Sequence, residues 1–115
     1  MGYDISINVK DVDWDKLARY GVPISSIHGR ETHSHVDKLE IIELIAGISV
    51  VYKKLDQRKK DAVESFLLAL QQHYPSFFNK MLEYYPVISK MLPKHITGRH
   101  LKLRRLALAA IYKYL

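Results

Sequence analysis

Cysteine is absent, which excludes disulfides, thiolate metal sites and cysteine nucleophiles and permits a reducing compartment. Glycine and proline are sparse, five and four in 115 residues, and they mark turns rather than a low-complexity linker. Acid is scarce at one end: Glu83 is the only acidic residue after position 65, and the last thirty residues hold none. Long apolar runs are missing too. The greasiest stretch, Leu39 to Tyr52, is shorter than a membrane span and carries Glu40 and Glu43, so it reads as a core helix. The sequence also lacks a glycine-rich phosphate loop, a GxSxG elbow and an HExxH motif. The expectation is therefore a protein that is not an enzyme, needs no cofactor and enters no membrane. Met1 to Lys10 has no continuous apolar core of a secretory signal, and a cytoplasmic location is expected.

What is present is an ordinary globular composition, 48% hydrophobic and 26% charged, enough for one core in a single domain over 1–115. The formal charge of +6 is one-sided. Residues 1–65 carry ten Lys/Arg against eleven Asp/Glu, whereas residues 66–115 carry eight against one. Such asymmetry points to a polyanionic or acidic partner.

Along residues 1–35, Tyr3, Ile5, Ile7 and Val9 alternate with polar residues in the period of a half-buried strand, with the run Val22 to Ile27 as its one candidate pairing partner. Between them Asp13 is suited to cap a short helix through Trp14, Leu17 and Tyr20, ended by Gly21. Over 36–115 the pattern is helical. Ser34 and Asp37 resemble a capping box opening a helix from Val36 to Lys54, taken as the central one. Asp56 caps the next, with Ala62, Val63, Phe66, Leu67 and Leu70 as its apolar face. Pro75 and Pro86 each suit the first turn of a short helix. Thr97 caps a last helix reaching Leu115, with Leu101, Leu108, Ile111 and Leu115 on one side and Arg99, Lys102, Arg105 and Lys113 on another. The fold class expected is mainly α, a compact bundle of five or six helices with a minor N-terminal β-strand or two-stranded ribbon.

Three groups of residues carry candidate chemistry. The basic segment holds Lys94, Arg99, His100, Lys102, Arg104, Arg105 and Lys113. A short helix, a turn over Pro93 to Thr97 and a basic helix follow one another there in the outline of a helix-turn-helix, with Arg99, His100 and Lys102 leading. Arg104 falls on the apolar side of the wheel, which requires a buried acid or carbonyl, or a partner-facing edge. Tyrosines Tyr84, Tyr85 and Tyr114 adjoin helix ends close to lysines, and are suited to stack on bases or to anchor a protein interface.

The third group is His28, His33, His35 and Asp37, a weak metal candidate. Its HxHxD spacing resembles the start of the metal motif of the metallo-β-lactamase fold, but Lys38 stands where the next His belongs, and a short helix-rich chain cannot form that fold. No metal is assigned to it. Asp11, Asp13 and Asp15 are read as capping and solvating acids rather than metal ligands.

The function expected is that of a small basic nucleic-acid-binding regulatory protein, for DNA or RNA. The alternative is a small inhibitor or immunity-type protein, of the kind carried by phages or mobile elements, that binds an acidic or nucleic-acid-binding surface of a partner. A third reading is a homodimer paired through Ala107, Ala110 and Tyr114.

Overall fold

Helix starts are set locally by side chains that accept the first free backbone N–H groups. In a computed structural model, which describes residues 7–24 and 36–115, Asp13 accepts from the Lys16 N–H (3.0 Å) and opens α1, Trp14–Tyr20. Asp37 accepts from both Leu39 and Glu40 N–H and opens α2, Lys38–Val51. Asp56 accepts from Lys59 N–H (2.9 Å) and opens α3, Gln57–His73. Pro75 begins α4, Pro75–Tyr84, and Pro86 begins a 3₁₀ segment, Pro86–Met91. Thr97 caps α5, Gly98–Ile111, by accepting from His100 N–H. The described residues are mainly helical, and none of their helices is long and apolar enough to cross a membrane.

Several expectations are corrected. Asp37 is itself the cap of α2, since an aspartate there satisfies two N–H groups at once, and Ser34 lies outside the described residues. The helix gives way at Tyr52–Lys54 to a 3₁₀ turn that delivers buried Leu55 to the core. No strand occurs among the described residues. Val9–Asp11 is a 3₁₀ turn because Asp11 accepts from the Asn8 N–H (2.9 Å), a local bond that competes with any ladder. Tyr3 and Ile5, and the end of the Val22 to Ile27 run, lie outside the described residues. The described part of that run, Val22 and Ile24, is buried without regular structure.

The helix at the centre is α3, not α2. Its stretch Ala62–Leu70 is buried apart from the edge residue Glu64, and it packs against α5, α4 and the 3₁₀ segment. The sequence of α2 is apolar almost all round, yet Leu39 and Val50 stay in water while Ile41, Ile42, Ile45, Ile48 and Val51 are buried. The inner side of α5 is also displaced from expectation: His100, Leu103, Ala107 and Ile111 are buried, whereas Leu101 is exposed. α5 stops at Ile111 rather than running to Leu115, because the chain turns there and the Tyr114 hydroxyl donates to the Tyr20 carbonyl.

Gly21 ends α1 with φ at +117°, a left-handed conformation that favours glycine, and a Cβ there would stand 3.0 Å from Ile111 Cγ1 and 3.4 Å from Phe66 Cε1. The substitution Gly21→Ala is therefore expected to lower stability by more than about 1 kcal/mol and Tm by roughly 4–8 °C, read in a thermal melt.

Candidate nucleic-acid interface

α5 divides lengthwise. Outward it presents Leu101, Lys102, Arg105, Leu106 and Ala109, successive members lying near one another on one helical face, and Tyr112 and Lys113 are exposed in the turn that follows. Lys90, Lys94, His95 and Ile96 are exposed in the segment that leads into it. Among the described residues, no carboxylate lies within ion-pair distance of Lys90, Lys94, Lys102, Arg105 or Lys113. At 1.5 Å rise per residue, α5 from Lys102 to Ile111 spans about 14 Å, the length of roughly four base pairs of duplex.

The leading end of the helix is engaged inward. Arg99 Nε donates to Asp61 Oδ2 at 2.9 Å, though its guanidinium remains half-exposed. His100 is buried, with Nε2 at 2.7 Å from Glu64 Oε1. Its Nδ1 accepts the Thr97 backbone N–H at 3.1 Å, so the ring proton sits on Nε2 and is donated to Glu64. Gln57 Nε2 donates to Asp61 Oδ1 (2.8 Å), and the Tyr52 hydroxyl donates to Glu64 Oε2. Burial, and then that bond to Glu64, push the Tyr52 phenol well above its ordinary value. The result is a shielded polar cluster holding α5 to α3.

Each sequence candidate has a definite place. Lys94, Lys102, Arg105 and Lys113 are exposed, on α5 or its flanks. His100 faces the core and is closed to a nucleic acid or partner. Arg104 has found a carbonyl, that of the Gln72 side chain, to which Nη1 donates, while its Nε is buried without a partner among the described residues. Tyr84 and Tyr85 are exposed at the end of α4, where Tyr84, Lys80 and Lys38 line an open groove of about 460 Å³. Tyr114 is fixed to Tyr20 and Ala107 is fully buried, whereas Ala110 and Tyr114 stay partly exposed. His28, His33 and His35 lie outside the described residues, and Asp37 serves as a cap.

Sequence reasoning missed Asp61 and Glu64. A signal existed: both are acids bordering the apolar side of α3, three residues apart, where a charge requires a partner. Comparison with protein-family models, with curated proteins and with solved structures found no match to this chain.

Two outcomes follow from the geometry. Glu64→Ala removes the acceptor of both His100 Nε2–H and the Tyr52 hydroxyl, and is expected to cost about 2–4 kcal/mol in urea unfolding. Tyr20, Tyr52 and Tyr114 are all pushed up from an ordinary value of 10.0, burial being the first cause in each, followed by Glu40 for Tyr20, Glu64 for Tyr52 and the Tyr20 and Tyr74 phenols for Tyr114. A folded value above the unfolded one gives stability that is whole below pH 10 and lost as pH rises beyond it. Phenolate absorbance near 295 nm is thus expected to show three of the eight tyrosines ionising only as helical circular dichroism disappears.

Proposed function

We propose that the protein binds nucleic acid in a non-catalytic, regulatory role, through the outer face of α5 and the segment before it. Lys94, Lys102, Arg105 and Lys113 are the contact set, with the outward part of the Arg99 guanidinium beside them. The observation that carries this reading is a row of exposed cations, Lys94, Lys102, Arg105 and Lys113, without ion-pair partners among the described residues, in a segment that contains no acid of its own. Phosphates would supply the missing counter-charge, and release of their condensed ions would drive association. The helix-turn-helix outline supports the reading in the order of its parts only: the element before α5 is a 3₁₀ segment, and the leading histidine is turned inward. Contact with the phosphate backbone is accordingly favoured over base reading by the helix tip.

A second reading has its own observation. Leu101, Leu106 and Tyr112 are exposed between the cations of the same face, and apolar anchors ringed by charge suit an acidic protein surface. On this reading the protein is an inhibitor or immunity-type factor.

Fluorescence anisotropy with labelled duplex DNA and single-stranded RNA across a salt series separates the two. The nucleic-acid reading expects binding that weakens steeply with salt. It expects the Lys102→Ala, Arg105→Ala, Lys113→Ala triple variant to bind weakly and to lower the log–log salt slope by roughly three. Leu101→Ser with Leu106→Ser is expected to leave that binding near wild type. Absence of binding at low salt, or loss of it in the leucine variant alone, would sink this reading in favour of the protein partner.

A further inference from the structure

The polar cluster between α3 and α5 contains more donors than two helices need to be held together. Asp61 and Glu64 from α3 and His100 from α5 each offer one donor atom, and these atoms all lie within 4.8 Å of one another. His100 Nε2 is 4.0 Å from Asp61 Oδ1 and 2.7 Å from Glu64 Oε1. A ligand bond to a divalent transition metal is about 2.0–2.2 Å, which sets neighbouring ligand atoms roughly 3–3.5 Å apart, so an ion would draw Asp61 in and push Glu64 out by about half an ångström each. Each donor is also steadied from outside: Asp61 by Gln57 and Arg99, Glu64 by the Tyr52 hydroxyl, and His100 by Thr97. Such outer partners orient ligands at metal centres.

An independent observation concerns charge. Asp61 and Glu64 set two shielded carboxylates against one guanidinium, that of Arg99, itself half in water. A buried negative charge in excess is costly unless a cation offsets it. The histidine can also free its Nε2 lone pair by exchanging one bond to Thr97 for another, the Thr97 N–H giving up its acceptor at Nδ1. When the ring proton moves to Nδ1, Thr97 Oγ1 stands 2.9 Å away to accept it. The side chains of Asp61 and Glu64 keep 11% and 14% of their surface in contact with solvent, a route for an ion and a place for its remaining water ligands.

We propose that Asp61, Glu64 and His100 bind a divalent first-row transition-metal ion. One imidazole and two carboxylates suit zinc or manganese rather than calcium or magnesium, which take all-oxygen sites. The ion would tie the first turn of α5 to α3. This proposal is independent of what the outer face of α5 binds.

The test uses the full chain stripped with EDTA. Calorimetric titration with Zn²⁺ is expected to give one ion per chain, and a hundredfold excess over Kd should raise Tm by roughly 10 °C. Glu64→Gln and His100→Gln are expected to abolish binding, and Tyr52→Phe to weaken it about tenfold. Should either ligand variant lose its helical circular dichroism, Zn²⁺ added to the wild-type chain must still shift the His100 ring resonances in a histidine-detected NMR spectrum. A wild-type chain without stoichiometric binding, unmoved His100 resonances, or binding that survives Glu64→Gln but is lost in a His28, His33, His35 triple alanine variant would overturn the proposal.

Discussion

The hydrogen bond from His100 Nε2 to Glu64, with that from Arg99 Nε to Asp61 beside it, fixes the first turn of α5 on α3 in a region largely shielded from water. Bonds of this kind contribute less to net stability than their strength suggests, because each charged group first loses its hydration. Their effect is on register. A slide of α5 by one turn along α3 would take the buried His100 ring from Glu64 and Arg99 from Asp61, leaving each acid one bond short, so alternative packings of two apolar helices are penalised. Below this clasp the seam is apolar: Leu103, Ala107 and Ile111 from α5 lie inside with Phe66, Leu67 and Leu70 of α3. Clasp and seam together determine which side of α5 looks outward, and thus which cations reach solvent.

That outward side carries a cost of its own. Lys102 and Arg105 share α5, with Lys113 in the turn after it and Lys90 and Lys94 in the segment before it, and like charges at such spacing repel over distances comparable with the screening length of about 10 Å at 0.1 M salt. Nothing in the second half of the sequence relieves this except Glu83. The clasp holds the helix in place despite the repulsion. A polyanion would remove it.

How much of this was legible in the sequence depended on how local the deciding interaction is. The caps Asp13, Asp56 and Thr97, the glycine stop at Gly21 and the proline starts at Pro75 and Pro86 all act within four residues, and each was readable. Asp37 was recognised as part of a start but not as the cap itself. The inner face of α5 was set wrongly because both of its sides mix leucines with bases, and His100, scored as polar, is a core residue. The primacy of α3 was hidden for a similar reason: α2 is more apolar, but what decides is how many neighbours an element covers. Asp61 and Glu64 find their partners 36 to 38 residues later, a pairing that no periodicity encodes. At the N-terminus the alternation ending at Val9 suggested a strand, and the Asn8–Asp11 bond answers it there with a turn.

The tie between Tyr114 and Tyr20 joins residues 94 positions apart, and α5 also covers Gly21 and Phe66 through Ile111. During synthesis α5 leaves the ribosome after every other helix of this bundle, so the aromatic and aliphatic side of α3 waits uncovered while the intervening segments are translated. The core closes only when α5 arrives, and until then the uncovered side of α3 is an exposed greasy surface of the kind that holding chaperones bind.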